Sequence, residues 1–185
     1  MRAAVVGGSL GGLYAALLLR DLGVDVDIYE RSPVELAQRG AGIGFLPESQ
    51  RYLVERAGVA LDEISVPTAH IRYLHRNAEL LFEAQHAYRF SSWNTVYRRL
   101  LTQFPAEKYH LAYEMTGWQS RQNRVEVAFA AQAPERANLV VMADGVGSLA
   151  RALVARSANR LRRLCRLARH GSGSAVGCRG ARCLR

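Results

Sequence analysis

The sequence predicts an α/β fold, a parallel sheet with helices packed on it, and three observations predict it. The chain opens on a short, wholly apolar run, Ala3–Val6, of the kind buried in the middle of a parallel sheet. A glycine turn, Gly7-Gly8-Ser9-Leu10-Gly11-Gly12, leads from that run into a stretch with helical apolar spacing. A second strand-like run, Val24–Tyr29, then ends on the acid Glu30.

Each further element has its own signal. Leu10–Leu22 reads as the first helix, with Leu10, Leu13, Leu17 and Ala16 toward the sheet, and Gly23 ends it. Val24, Val26 and Ile28 alternate with Asp25 and Asp27 as a strand of period two. Gly40-Ala41-Gly42-Ile43-Gly44 reads as a glycine-rich extended loop. Pro47 starts a helix to about Ala57, stopped by Gly58. Ala69–Arg76 and Glu79–Glu83 flank Asn77-Ala78 as a hairpin, and Thr95 caps a helix running to about Phe104, ahead of Pro105. Tyr109–Glu114, Arg124–Phe129 and Asn138–Ala143 are strand candidates, the last meeting Asp144-Gly145-Val146-Gly147-Ser148. Ala152–Arg169 has the composition of a basic helix, and Gly171–Arg185 shows neither period nor acid.

The formal charge of +9 on 185 residues suggests a polyanion partner until its distribution is read. Residues 152–185 hold nine arginines and no Asp, Glu or Lys, so the other 16 of the 25 basic residues balance the 16 acidic ones. Nucleic acid is therefore not the expected partner of residues 1–151. All three cysteines (Cys165, Cys178, Cys183) lie in the same tail, which leaves residues 1–151 without a disulfide and fits a cytoplasmic protein. The apolar run from Ala3 to Leu19 is interrupted by four glycines and followed by no cleavage site, against a signal peptide. It is also too short to cross a membrane, which takes about 20 apolar residues. The five histidines are scattered without ligand spacing, so no metal is expected.

The chemistry lies in the first turn. Against the pattern G-x-G-x-x-G, Gly7 and Gly12 occupy the outer positions and Ser9 replaces the middle glycine. After a strand, ahead of a helix and eighteen residues before Glu30, this turn predicts a dinucleotide site. Backbone N–H groups and the helix N-terminus meet a pyrophosphate, and the acid accepts from ribose hydroxyls. The same residues also spell G-x-S-x-G, the nucleophile elbow of serine hydrolases. That alternative is weaker, because no earlier strand supplies an oxyanion loop and no later segment presents a clear acid–histidine pair.

Four pieces occur in order: the Gly7–Gly12 turn with Glu30, the Gly40–Ile43 loop, Arg98-x-x-Leu101, and Ala143-Asp144-Gly145 with Ser148 and Arg151. With these, residues 1–151 resemble the single-component FAD-dependent aromatic hydroxylases, monooxygenases of the p-hydroxybenzoate hydroxylase type. Arg31-Ser32-Pro33, Gly40–Phe45 and Ser92–Arg98 look most like the members that hydroxylate dihydroxypyridines. The resemblance implies a Rossmann-like FAD/NAD(P)-binding fold, with part of a substrate-domain β-sheet inserted at about residues 66–114. It implies FAD as cofactor, NAD(P)H as cosubstrate, a small aromatic substrate, no membrane, and a homodimer for the full-length protein. It places Gly7, Ser9, Leu10 and Gly12 at the FAD pyrophosphate, Glu30 at the adenosine ribose and Arg31 beside the adenine. Arg98 would reach the flavin side, and Asp144 would anchor a segment touching FAD. Catalytic residues are not identified by the resemblance.

Two departures stand out. Met142 replaces the glycine that the family carries before Ala-Asp-Gly, and the family's second Gly-Asp motif and most of its substrate sheet are absent. The expectation is therefore an N-terminal fragment, alternatively a non-catalytic FAD-binding remnant or a hydroxylase of a phenolic acid. Residues after about Val154 are expected to be non-native or disordered. Shifting Leu161–His170 by one nucleotide can recover the family's next strand, so a frameshift explains the tail, with a genuine basic arm as the competing account.

Overall fold

A computed structural model of the chain describes residues 1–38 and 40–155. In chain order the elements are β1 (Arg2–Val6), α1 (Leu10–Asp21), β2 (Asp25–Tyr29), β3 (Gly42–Gly44), α2 (Pro47–Glu55), α3 (Leu61–Ile64), β4 (Val66–Leu74) and β5 (Leu80–Ser92). They continue with α4 (Trp93–Leu101), β6 (Tyr109–His110), β7 (Met115–Arg121), β8 (Arg124–Phe129), β9 (Glu135–Ala137), β10 (Leu139–Met142) and α5 (Leu149–Ala155).

The fold is the expected α/β one. A parallel sheet of order β10-β1-β2-β6 forms its centre. Two antiparallel sheets accompany it, β3-β5-β4 and β7-β8-β9. Val6 pairs with Tyr29 on one side and Met142 on the other, so β1, β2 and β10 end level with one another. Gly7, Glu30 and Ala143 leave those three ends together, the place where open α/β sheets bind ligands.

The pleat sends alternate residues into two cores. Ala3, Val5, Val26 and Ile28 join Leu13, Ala16 and Leu17 of α1, together with Val96, Tyr97 and Leu100 of α4. Ala4, Val6 and Tyr29 face Met115, Val127 and Phe129 of the β7-β8-β9 sheet. This double cover explains why the charge alternation of β2 does not become an exposed face. Asp27 is only 4% exposed. Its carboxylate is held by Arg2 Nε at 3.1 Å, His110 Nε2 at 3.0 Å and Lys108 Nζ at 3.5 Å.

Several local expectations are corrected. The cap of α4 is Ser92, not Thr95: the extended Ser92 accepts the Thr95 N–H at 2.9 Å because β5 runs straight into the helix. The strand at Tyr109 stops after His110, where its partner β2 also ends. Ala112 then turns at φ +62°, and the N–H groups of Ala112 and Tyr113 go to the carbonyls of Ser32 and Glu30. The glycine loop is partly strand, Gly42–Gly44 pairing with Phe90–Ser92. The hairpin turns at Ala78 as expected, but its second strand continues far past Glu83 to Ser92. Strands β7 and β9 and helix α3 had no expectation.

The chain divides into Met1–Ala150, a compact unit, and the segment Arg151–Arg185. In the second, only the end of α5 is described. The remainder of the expected basic helix, the residues from Gly171 on, and the shifted-frame account lie outside the described residues.

Candidate functional site

A cleft of about 470 Å³ opens where β1, β2 and β10 end. Gly7 turns the chain out of β1 at φ +106°, and a Cβ there would lie 2.3 Å from the Ala143 carbonyl oxygen. A Cβ on Gly8 would lie 2.1 Å from Tyr109 Oη, and one on Gly12 would lie 1.8 Å from the Gly7 carbonyl oxygen. Gly11 has nothing within 4 Å of its would-be Cβ. The close approaches therefore fall on Gly7, Gly8 and Gly12. The central motif position tolerates Ser9, which precedes α1 in extended conformation and borders the cleft.

Glu30 is 6% exposed and lies across the turn. Its Oε2 accepts the Gly8 N–H at 2.7 Å, and its Oε1 accepts the Ser32 N–H at 2.9 Å. An ionised carboxylate has about four acceptor positions, so this one braces the turn and keeps capacity for hydroxyl donors from a ligand. Arg31 stands beside it, exposed at the cleft. Across the cleft, half-buried Asp144 accepts the Ala150 N–H at 3.2 Å, and Gly145 follows at φ +78°.

The remaining wall is mostly apolar and aromatic, with Glu114 among it. Trp93 stacks on Tyr97 with ring centres 4.8 Å apart and planes at 12°. Gly40 packs against Trp93, where a Cβ would come within 2.6 Å of the indole side chain. Tyr29 stacks on His110 at 5.0 Å and meets Tyr113 and Phe129, each at 5.1 Å. Leu36, Tyr113, Glu114 and Met115 also border the cleft.

Of the expected site residues, the fold brings Gly7, Ser9, Glu30, Arg31 and Asp144 to this cleft. Gly12 supports it from behind, through its contact with Gly7. Leu10 starts α1 and packs on the core, and Arg98 is exposed on α4; neither borders the cleft. Met142 pairs with Val6 and packs in the second core. The sequence reading missed Gly8, Trp93, Tyr109 and Tyr113. The doubled glycine was a legible signal for Gly8, whereas the three aromatics are assembled only by tertiary contacts. For the hydrolase alternative, no histidine borders the cleft among the described residues. His110, which stacks on Tyr29 of its wall, has Nε2 engaged by Asp27.

Comparisons with known proteins follow the same lines. A family model described as an NAD(P)-binding Rossmann-like domain matches residues 5–34. The chain is similar to 2,6-dihydroxypyridine 3-monooxygenase of Paenarthrobacter nicotinovorans, 42% identical over 151 residues, which cover 81% of this chain and 38% of the relative. The solved structure of 2,6-dihydroxypyridine-3-hydroxylase from Arthrobacter nicotinovorans matches with TM-score 0.78 at 42% identity, over 83% of this chain and 39% of that one. Klebsiella pneumoniae HpxO complexed with FAD and uric acid matches in fold, with TM-score 0.71 at 22% identity over 85% of this chain and 42% of that one. The chain thus spans about two fifths of the length of the relatives it matches.

Proposed function

Since the chain belongs to the FAD-dependent aromatic monooxygenases, we propose that its cleft binds FAD for the hydroxylation of an electron-rich ring of the dihydroxypyridine class. The observation that carries the reading is the pairing of a turn whose Gly7, Gly8 and Gly12 admit no Cβ with a buried carboxylate holding that turn and keeping acceptor capacity. These residues fit a dinucleotide. Gly7, Ser9 and the N-terminus of α1, with Leu10 and Gly12, present backbone donors and a positive helix end to the pyrophosphate. Glu30 accepts from ribose hydroxyls, Arg31 lies by the adenine, and Asp144 holds the opposite loop. Arg98 is assigned to the flavin side. FAD supplies the redox chemistry that links NAD(P)H and dioxygen to the ring. The chain's part is to bind, to orient and, through Trp93, Leu36, Tyr29 and Met115, to keep water from one wall.

The test is to titrate the purified chain with FAD and then follow NAD(P)H oxidation with 2,6-dihydroxypyridine and with a phenolic acid. Bound flavin and faster oxidation with the dihydroxypyridine are expected. Glu30→Gln is expected to weaken FAD by at least about tenfold, since one donor to the acid is then met by an amide N–H. No retained flavin overturns the reading, and flavin without stimulated oxidation reduces it to a binding function.

A further inference from the structure

We propose that Tyr109, backed by Tyr97, is a positioning residue for the dinucleotide turn: its hydroxyl fixes the Gly8–Ser9 peptide so that the Ser9 N–H is presented to the pyrophosphate. The proposal rests on the reading of the cleft as a dinucleotide site.

Tyr109 stands on β6, far along the chain from the turn, yet its hydroxyl donates to the Gly8 carbonyl at 2.8 Å. It comes so close because residue 8 has no side chain; a Cβ there would fall 2.1 Å from Oη. Behind it, Tyr97 Oη lies 3.3 Å from Tyr109 Oη and accepts the Leu36 N–H at 3.2 Å. The protons then have one arrangement. Tyr109 spends its only proton on the carbonyl, so Tyr97 donates to the Tyr109 oxygen, and Tyr97 in turn accepts from Leu36. Hydrogen bonds aligned head to tail strengthen one another in a buried setting. Burial, followed by the bond with Tyr97, pushes the Tyr109 hydroxyl far above its ordinary pKa, so the donor is present throughout the neutral range.

A trans peptide is planar, and its C=O and N–H point in opposite directions. Holding the Gly8 carbonyl toward Tyr109 therefore turns the Ser9 N–H away from Tyr109. Ser9 borders the cleft and Tyr109 does not. The Gly8 N–H is tied in turn to Glu30 at 2.7 Å, so the residue is clamped at both ends. Tyr97 stacks on Trp93, which borders the same cleft, so the two hydroxyls tie the phosphate turn to the aromatic wall.

The experiment measures ADP and adenosine binding to the 185-residue chain and to Tyr109→Phe, with a thermal melt of each. Tyr109→Phe is expected to weaken ADP about tenfold while adenosine stays within about twofold, because only the pyrophosphate contact loses its aimed donor. Unchanged ADP affinity, or an equal loss for both ligands, overturns the proposal. Should Tyr109→Phe fail to fold, Tyr97→Phe carries the test: about threefold weaker ADP with adenosine unchanged supports it, and no change overturns it. If the unaltered chain binds neither FAD nor ADP, the dinucleotide reading itself fails and the brace falls with it. If the unaltered chain binds ADP and the variant matches it, the brace alone fails.

Discussion

At the scale of single residues, neighbouring glycines have different tasks. Gly11 has open space around its would-be Cβ, and Gly12 abuts the Gly7 carbonyl. Gly11→Ala is therefore expected to leave nucleotide binding intact and to stabilise the chain by up to about 1 kcal/mol through helix propensity. Gly12→Ala is expected to abolish binding and lower the melting temperature, because helix and turn must separate. Denaturant titration of both variants checks the contrast. Asp27 provides a pH test. Burial pushes its carboxyl upward, but hydrogen bonds from His110 and Arg2 and the charge of Lys108 outweigh burial, and the net shift is below the ordinary 3.8. A folded-state pKa lower than the unfolded one means that the unfolded chain takes up protons first. The stabilisation is thus complete above the ordinary carboxyl range and is lost as pH falls below about 4 through the folded value. Asp27→Asn is expected to cost about 2 kcal/mol at pH 7 and to flatten the acid limb of the stability curve. A denaturation midpoint with unaltered pH dependence in the variant contradicts this account.

At the scale of elements, α4 shows how one hydroxyl sets a boundary. The strand β5 delivers Ser92 in extended conformation, and its side chain meets the Thr95 N–H at 2.9 Å. Ser92→Ala is expected to destabilise the chain by about 1 kcal/mol, and Thr95→Ala by less, which two urea titrations compare. The consequence reaches the cleft, because α4 begins with Trp93 and carries Tyr97 one turn later. The β4–β5 hairpin is a second instructive element. The pairs across it include Val66 with Phe90, Thr68 with Tyr88, Tyr73 with Phe82, and Leu74 with Leu80. Pairs with charged residues are interspersed among them, Pro67 with Arg89 and the Arg72–Glu83 ion pair at 2.8 Å. The hairpin's apolar side chains Val66, Tyr73, Leu74, Leu80, Leu81, Phe82 and Phe90 are about half exposed or more.

At the scale of the whole molecule, those uncovered apolar side chains govern behaviour in solution. Exposed patches of this kind bind hydrophobic dyes and promote association. The chain is expected to enhance 1-anilinonaphthalene-8-sulfonate fluorescence and to self-associate at rising concentration. Replacing Tyr73 and Phe82 by threonine keeps strand propensity and is expected to reduce both effects with little change in melting temperature. Light scattering together with dye fluorescence decides it. The parallel sheet was legible in the sequence, because Ala3–Val6, the glycine turn, Leu10–Leu22 and Glu30 are local signals within about thirty residues. The β5 extension through Ala84-Gln85-His86-Ala87 was not legible, since small and polar residues there break the apolar pattern while pairing with β4 holds the strand. By itself, then, the sequence determined the glycine turn, its acid and the α/β class, because backbone conformation and hydrophobic period are set by near neighbours. Tertiary structure alone decided that Asp27 is buried and neutralised, and that Gly8 rather than residue 9 must lack a side chain. It alone brought Trp93 to the cleft and set Tyr97 and Tyr109 behind the glycine turn. Those facts depend on contacts between segments 25 to 101 residues apart, whose spacing no local pattern encodes.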